Sequence, residues 1–348
     1  MKRAKRPKIS LVRGGFANWF ELQNYEPLKS TFDLQIITSY HSLTPIKLPS
    51  IKLLSPYDLP QFPYKQAILN RLIGDQHWLW QLEKYLLNSD IVHVAETYYA
   101  YTHQAIQLKK AGKIKTLIST CWETIPFNNE TIPRKHRWKQ EAYKFIDHFI
   151  TPTQKAKQAL IREGVSPTKI SLIRVGVDLN RFTPLKKNFI QQQSSITVTY
   201  VGRNVPEKGV FDLKQAATKL PSFIKVNLIH NLPYNRIHKI YQQTDIFVLP
   251  SHQTPTWEEQ YGMVLVEAMA TGLPIITTKT GAIPEIVGSA AILIPPNNPQ
   301  LLAKTIIKLA TTPQLRQQLS QQAYKRAQRY FNRQDIAKQL ANLYNKFI

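Results

Sequence analysis

Two doubly wound, parallel-sheet α/β domains in tandem are what this sequence predicts, and three observations predict it. Short apolar runs alternate with helical patterns, the alternation breaks once near residue 190, and it then restarts. The length, 348 residues, corresponds to about two domains of ordinary size. In the first half, Lys8–Val12 reads as a buried strand closed by Gly14-Gly15. Leu34–Thr38, Asp90–Ala95, Thr116–Thr120, Asp147–Thr151 and Ser171–Val175 read as further strands. Helical spacing occupies Trp78–Leu87 and Thr153–Glu163. Strands that are apolar throughout, separated by helices, belong to parallel sheets covered on both faces. The stretch 183–195, with Pro184 and a glutamine run, reads as a linker. Beyond it, Ile196–Val201, Lys225–Ile229, Ile246–Leu249, Pro274–Thr277 and Ala291–Ile294 are short strands again. The last helix, Gln334–Phe347, spaces Ile336, Leu340, Leu343 and Phe347 along one stripe. The expected domains are 1–185, 186–330 and a closing helix within 331–348. In sheets of this kind, ligands sit beyond the carboxyl ends of the strands.

Composition narrows the function. The formal charge is +24, divided as +13 over residues 1–185 and +11 over 186–348. An excess spread over both halves implies an anionic partner: a phosphorylated small molecule, an anionic membrane surface or nucleic acid. Charged residues are only 20% of the chain, which excludes a disordered polycation. A single cysteine, Cys121, excludes an internal disulfide and a cysteine-built zinc site; it reads as a small buried apolar residue. The nine histidines show no metal-ligand spacing. No apolar run is long enough to span a membrane. The basic start, MKRAKRPKISLVRGGF, is interrupted by Arg13 too early for a signal peptide, so a cytoplasmic protein is expected. Lys2, Arg3, Lys5, Arg6 and Lys8 read as a solvated tail.

The chemistry concentrates in 247–288, FVLPSHQTPTWEEQYGMVLVEAMATGLPIITTKTGAIPEIVG. A strand ends at Pro250-Ser251, a polar loop carries Glu258 and Glu259, and a helix starts near Gly262. The backbone N–H groups of Gly262, Met263 and Val264 then form an anion site suited to a diphosphate. Glu267 lies on the second turn of this helix and Glu259 on the loop before it. Carboxylates bind pairs of vicinal hydroxyls, so the two acids read either as grips for a sugar and a ribose or as ordinary helix-start acids. A second segment, 200–211, YVGRNVPEKGVF, favours the first reading. It places Arg203 and Lys208 at the carboxyl end of another strand, where a bidentate guanidinium and a compact ammonium suit an anion.

GRNVPEKG, the Glu259-x7-Glu267 block with its QYGMVLV core, AMATGLPII and GAIPEIVG together resemble the retaining nucleotide-sugar glycosyltransferases of family 4, which have the two-domain, Rossmann-like GT-B fold. VGVDLNRF at 175–182 and Gly14-Gly15 extend the resemblance over nearly the whole chain. It implies that Glu259 binds donor-sugar hydroxyls, Glu267 binds the nucleotide ribose, and Arg203 and Lys208 neutralise the diphosphate. Amides near Gly15 and Gly262 would line the diphosphate and the transferred sugar. It also implies a donor domain in the second half, an acceptor domain in the first, a last helix that crosses back, and retention by same-face attack.

The chain departs from the family at three points. Trp122 stands where many members carry a histidine, followed by Glu123; Glu123 takes the acceptor-side polar role, or Trp122 stacks on a sugar, or Trp122 simply packs. Val175 replaces an asparagine, and Gln260 a glycine. No Asp-x-Asp motif occurs, so no metal or other cofactor is required. Arg134–Lys144 puts Trp138, Ala142 and Phe145 on one helical face amid cations. That pattern fits either a core helix or peripheral docking at the inner face of an anionic membrane. The expected partners are a nucleotide sugar and a glycan or lipid-linked acceptor. A nucleotide-sugar epimerase on the same plan is the alternative. A nucleic-acid-binding protein is remote, because no reader motif or stacking pattern accompanies the charge.

Overall fold

The computed structural model describes residues 6–184, 189–190 and 194–348. The chain divides into two compact units, Met1–Ile173 with Gln334–Ile348, and Arg174–Arg333. Lys2, Arg3 and Lys5 of the basic start, and much of the linker expected at 183–195, lie outside the described residues.

The first unit is built on seven strands: β1 (Lys8–Gly14), β2 (Asp33–Ser39), β3 (Ser50–Leu53), β4 (Ile91–Ala95), β5 (Thr116–Thr120), β6 (His148–Thr151) and β7 (Ile170–Leu172). They are all parallel, in the order β3-β2-β1-β4-β5-β6-β7. The order reverses between β1 and β4, so the crevice for a ligand opens beyond their carboxyl ends. The strands are apolar because helices cover both faces: β4 and β5 are buried at every residue. β3 has no counterpart among the predicted strands; at the sheet edge only Leu53 of its four residues is buried, so its apolar signal is short. The helix expected over Trp78–Leu87 shrinks to Leu82–Leu86, because Gln81 adopts a left-handed φ of 60° that ends helical geometry there.

The second unit has five parallel strands: β8 (Ile196–Val201), β9 (Ile224–Ile229), β10 (Ile246–Leu249), β11 (Ile275–Thr278) and β12 (Ile292–Ile294). Their order is β12-β11-β10-β8-β9, which reverses between β8 and β10. Residues 174–185, assigned to the first domain from the sequence, are a correction: the described part groups with this unit. Val177 bridges Asn332, Arg333 pairs with Asp178 at 2.9 Å, and a Cβ on Gly176 would meet Phe331 O at 2.5 Å. From Gln334 onward the last helix, Arg333–Tyr344, groups with the first unit. There it buries Ile336, Leu340 and Leu343, and the Tyr344 hydroxyl meets Nδ1 of buried His93 at 2.6 Å.

The helix predicted around Arg134–Lys144 forms over Pro133–Phe145, but two of its cations point inward. Lys135 lies 3.9 Å from Asp75, and Lys139 reaches Glu163 at 2.6 Å and Glu130 at 3.0 Å. Trp138 and Ala142 share that buried face. Arg134, Arg137 and Lys144 remain exposed. The core-helix reading therefore holds for the inner face, and two of the five lysines and arginines, Lys135 and Lys139, belong to buried ion pairs.

Candidate functional site

The second sheet's switch point collects the predicted donor residues. After β8 the chain passes Gly202, exposed Arg203 and a 3₁₀ turn, Pro206–Lys208. Gly209 follows at φ +67°, where a Cβ would lie 1.8 Å from Pro250 O; no other residue lets the two strand-end loops close this tightly. His252 N donates to Glu207 O at 2.8 Å, fastening the loops together. Across that seam Lys208 Nζ donates to Glu259 Oε2 at 2.6 Å and sits 5.1 Å over the Trp257 ring. Ser251 Oγ donates to the same oxygen at 3.1 Å. The main chain of Glu259 is held as well, its carbonyl accepting from Ala282 N at 2.8 Å, while a Cβ on Gly281 would come within 2.2 Å of that carbonyl. The GAIPEIVG segment thus braces the Glu259 loop.

Gly262, at φ +79°, opens the helix Met263–Ala270, and no side chain bonds to its cap. The amides of its first turn, Met263 and Val264 among them, lie at a half-buried helix start after β10. Glu267 faces inward instead of toward an open surface, at 2% exposure, and accepts from the Tyr241 hydroxyl at 2.8 Å. Burial pushes its carboxyl up to about 7, against the opposing hydrogen bonds of Tyr241 and Tyr234 and the charge of Arg181. Arg181 stacks 4.4 Å over the Tyr234 ring and bonds to its carbonyl. Tyr241, Tyr234, Arg181 and Ser251 were not singled out from the sequence; only Ser251, directly after a strand, carried a local signal. Glu258 is buried beside Glu259, and neither Glu259 nor Glu267 is the exposed helix-start acid of the alternative reading.

In the first unit, Gly14 takes φ +52° at the end of β1, and Gly15 follows with a Tyr57 ring packed where a Cβ would be, 2.3 Å away. At the end of β4 sits Glu96, which sequence reasoning missed. It is buried, adopts φ +59°, and accepts from Trp122 N at 2.8 Å. Burial, reinforced by the charge of Glu123, pushes the Glu96 carboxyl up to about 8. Glu123 itself accepts from Thr124 N at 2.9 Å, Ile125 N at 3.0 Å and Asn128 Nδ2 at 2.9 Å. Burial raises its carboxyl too. The structure therefore joins Trp122 and Glu123 to Glu96 through the main chain of Trp122. Among the described residues, no group of three or more His, Cys, Asp or Glu side chains is placed to hold a metal ion.

Residues 39–181 match the family model for glycosyltransferase family 4, and 223–326 match that for group 1 glycosyl transferases. Both units therefore carry a segment similar to glycosyltransferase family models. Trp122 and Glu123 fall in the first matched segment, and Glu259, Gly262 and Glu267 in the second. A D-inositol 3-phosphate glycosyltransferase of Mycolicibacterium gilvum is 27% identical over 211 residues, 50% of this chain and 47% of the relative. The chain spans about half the length of the curated relatives it matches. Sucrose-phosphate synthase of Thermosynechococcus elongatus superposes with a TM-score of 0.76 at 18% identity, covering 98% of this chain and 99% of the other. HepE of Anabaena, solved in complex with UDP-glucose, gives 0.74 at 18% identity over 97% and 99%. These structures share the GT-B fold, in agreement with the two parallel sheets of this chain.

Proposed function

We propose that the protein is a retaining, metal-independent glycosyltransferase that moves a sugar from a nucleoside-diphosphate donor to a glycan or lipid-linked acceptor. The observation that carries this reading is the Lys208–Glu259 pair beside the uncapped helix start at Gly262, at the switch point of the second sheet. Cleaving a sugar–phosphate bond builds negative charge on the leaving diphosphate. Lys208, Arg203 and the amides of Met263 and Val264 are cationic or positively polarised groups suited to stabilise that charge without a metal. The two hydrogen bonds on the Glu259 carboxylate fall on Oε2, so Oε1 is the oxygen assigned to a donor-sugar hydroxyl. Glu267 takes the ribose, whose hydroxyls supplement the tyrosine hydroxyls already there. Retention follows if the acceptor's proton passes to a donor phosphate oxygen as attack and departure share one face.

Calorimetry tests the assignment. The donor is the nucleotide sugar that most raises the melting temperature in a panel. Glu267→Ala is expected to weaken the bare nucleoside diphosphate about tenfold or more, the worth of hydrogen bonds to a charged group. Glu259→Ala spares the bare nucleotide and weakens the sugar-bearing donor. Nucleotide affinity rises as pH increases through about 7, where Glu267 ionises and becomes a full acceptor. Glu258→Gln changes neither. Equal losses of both ligands in both alanine variants would refute the division of labour.

Docking on an anionic membrane has its own support, at a surface shifted from the one expected. Arg134 and Arg137 share a cavity of about 700 Å³ with Arg71 and Asn70. Beside it the helix Lys65–Leu72 exposes Ile68 and Leu72, with Tyr64 before it. Cations beside exposed apolar side chains match a headgroup layer over hydrocarbon, each cation near the surface contributing about 1 kcal/mol. Co-sedimentation with anionic vesicles at low salt is expected for the wild type. It is lost in high salt and in a variant with Arg71, Arg134 and Arg137 changed to Gln. Equal binding to neutral vesicles argues against it. No helix among the described residues is long and apolar enough to cross the bilayer.

A further inference from the structure

Between β10 and Glu259 the chain folds back on itself in a short hairpin. Thr254 and Trp257 form an antiparallel bridge, with Thr254 N donating to Trp257 O at 2.7 Å. Pro255 takes the second position of this four-residue turn, where its fixed φ favours the reversal. Thr254, Pro255 and Thr256 at the tip are exposed, whereas Trp257 is half-buried. The base of the hairpin is pinned to the segment that carries Lys208. His252 N donates to Glu207 O at 2.8 Å, and His252 Nε2 lies 2.8 Å from Oδ2 of Asp212, in the first turn of the helix Val210–Ala217. Gln253 is fastened from the GAIPEIVG side, its Oε1 accepting from Thr280 Oγ1 at 3.4 Å. So anchored, the hairpin returns the Trp257 ring to a point 5.1 Å from Lys208 Nζ.

A lysine stem is long and flexible, and its ammonium has three N–H donors. In Lys208 one of them goes to Glu259 Oε2 at 2.6 Å. A carboxylate by itself holds the ammonium but cancels its charge. An indole face attracts a cation through the ring quadrupole and carries no net charge, so it fixes the ammonium from a second direction and leaves its field for an incoming anion. Packing is a poor explanation for the ring, since Trp257 is not one of the buried core side chains. No other aromatic ring among the described residues stacks on it, and its indole N–H makes no hydrogen bond among them. We propose that Trp257 is a positioning residue for Lys208: the hairpin presents its face so that the ammonium stands ready for the donor diphosphate. The proposal rests on the transferase reading above and deepens it, because it says how the diphosphate's cation is held. Arg203, exposed at the same strand end, has no printed ring beneath it and gains no such hold.

Calorimetric titration of the full chain with UDP, GDP and ADP tests this without an acceptor. Whichever diphosphate the wild type binds, Trp257→Leu is expected to weaken it about fivefold or more, and Trp257→Phe, which keeps a ring face, to stay within about twofold. In the Lys208→Ala background Trp257→Leu is expected to cost nothing further, since the ring acts through the ammonium. Mono-, di- and trifluorotryptophan at position 257 keep the shape of the ring and withdraw its electrons, so affinity falls stepwise along that series. A role in packing alone would leave the fluorinated series flat, and this series decides the matter even where Trp257→Leu fails to fold. The proposal is overturned if Trp257→Leu binds the diphosphate as the wild type does. It is overturned equally by a flat fluorinated series, or by a Trp257→Leu loss as large without Lys208 as with it. Failure of the transferase reading is seen separately, as a wild type that binds none of the three diphosphates.

Discussion

Lys208→Ala is expected to lower turnover about 10²-fold or more, the loss that follows removal of one preorganised donor from a developing oxyanion. The physical reason lies in how the ammonium is held. Lys208 is half-buried, with Glu259 at 2.6 Å and the Trp257 face at 5.1 Å, so it reaches the donor with little reorganisation left. Lys208→Arg keeps the charge but not the compact geometry, and is expected to recover only part of the rate. Arg203 makes a useful contrast. It sits at the same strand end but is exposed, so its side chain must be ordered by the donor, and Arg203→Ala is expected to cost about tenfold because exposed ion pairs contribute less. Single-turnover kinetics at saturating donor, with melting temperatures as a folding control, measures both. The folding control matters for Lys208, because its loss removes the cation from a buried carboxylate; Ser251 Oγ at 3.1 Å still satisfies Glu259 in that variant. Wild-type turnover in Lys208→Ala would remove this residue from the chemistry.

Much of this arrangement was legible in the residues, for reasons that differ from place to place. Strands buried on both faces are apolar runs, so Thr116–Thr120, Ile196–Val201 and Ile246–Leu249 coincide with their expected limits. The Lys208 and Glu259 loops were legible because a polar, charged stretch after an apolar run marks a strand end and its loop, and a glycine before a helix marks its start. What escaped was long-range. Tyr241 and Tyr234 reach Glu267 from a different segment, and nothing local distinguishes them from packing tyrosines. Glu96 looked like one acid after a strand; its burial and left-handed backbone arise only when β4 and β5 lie side by side. The edge strand β3 was missed because an edge needs few apolar residues. The cations of Arg134–Lys144 were misplaced because helical spacing says which residues share a face, but not whether a carboxylate waits across it. Asp75 and Glu163, both distant in sequence, turn Lys135 and Lys139 inward.

That inward turn carries the largest stability effect expected in the first unit. Lys139 is 1% exposed and donates to Glu163 Oε1 at 2.6 Å and Asn128 O at 3.1 Å, with Glu130 Oε1 at 3.0 Å. Glu163 is engaged at both ends, its Oε1 also accepting from Phe127 N at 2.7 Å and its Oε2 from the Tyr143 hydroxyl at 2.8 Å. Breaking a buried pair by removing one partner costs about 3–5 kcal/mol, because the remaining charge stays buried and uncompensated. Lys139→Met keeps the length and apolar stem of the side chain, so the cavity contribution is small and the electrostatic one is isolated. For a unit of this size the loss corresponds to a melting temperature lower by roughly 10 °C. Lys144→Met, on the exposed side of the same helix, is expected to change stability by less than about 0.5 kcal/mol. The double variant Lys139→Met, Glu163→Gln removes both charges and keeps the acceptor for Tyr143, and is expected to recover a large part of the loss, since replacing a whole buried pair is far less costly than halving it. Calorimetric scans of the three variants separate the possibilities. If Lys139→Met melts with the wild type, the ammonium contributes nothing net to the fold and the helix would tolerate an outward-facing lysine. If the double variant is no more stable than the single one, the loss comes from packing and not from the stranded carboxylate.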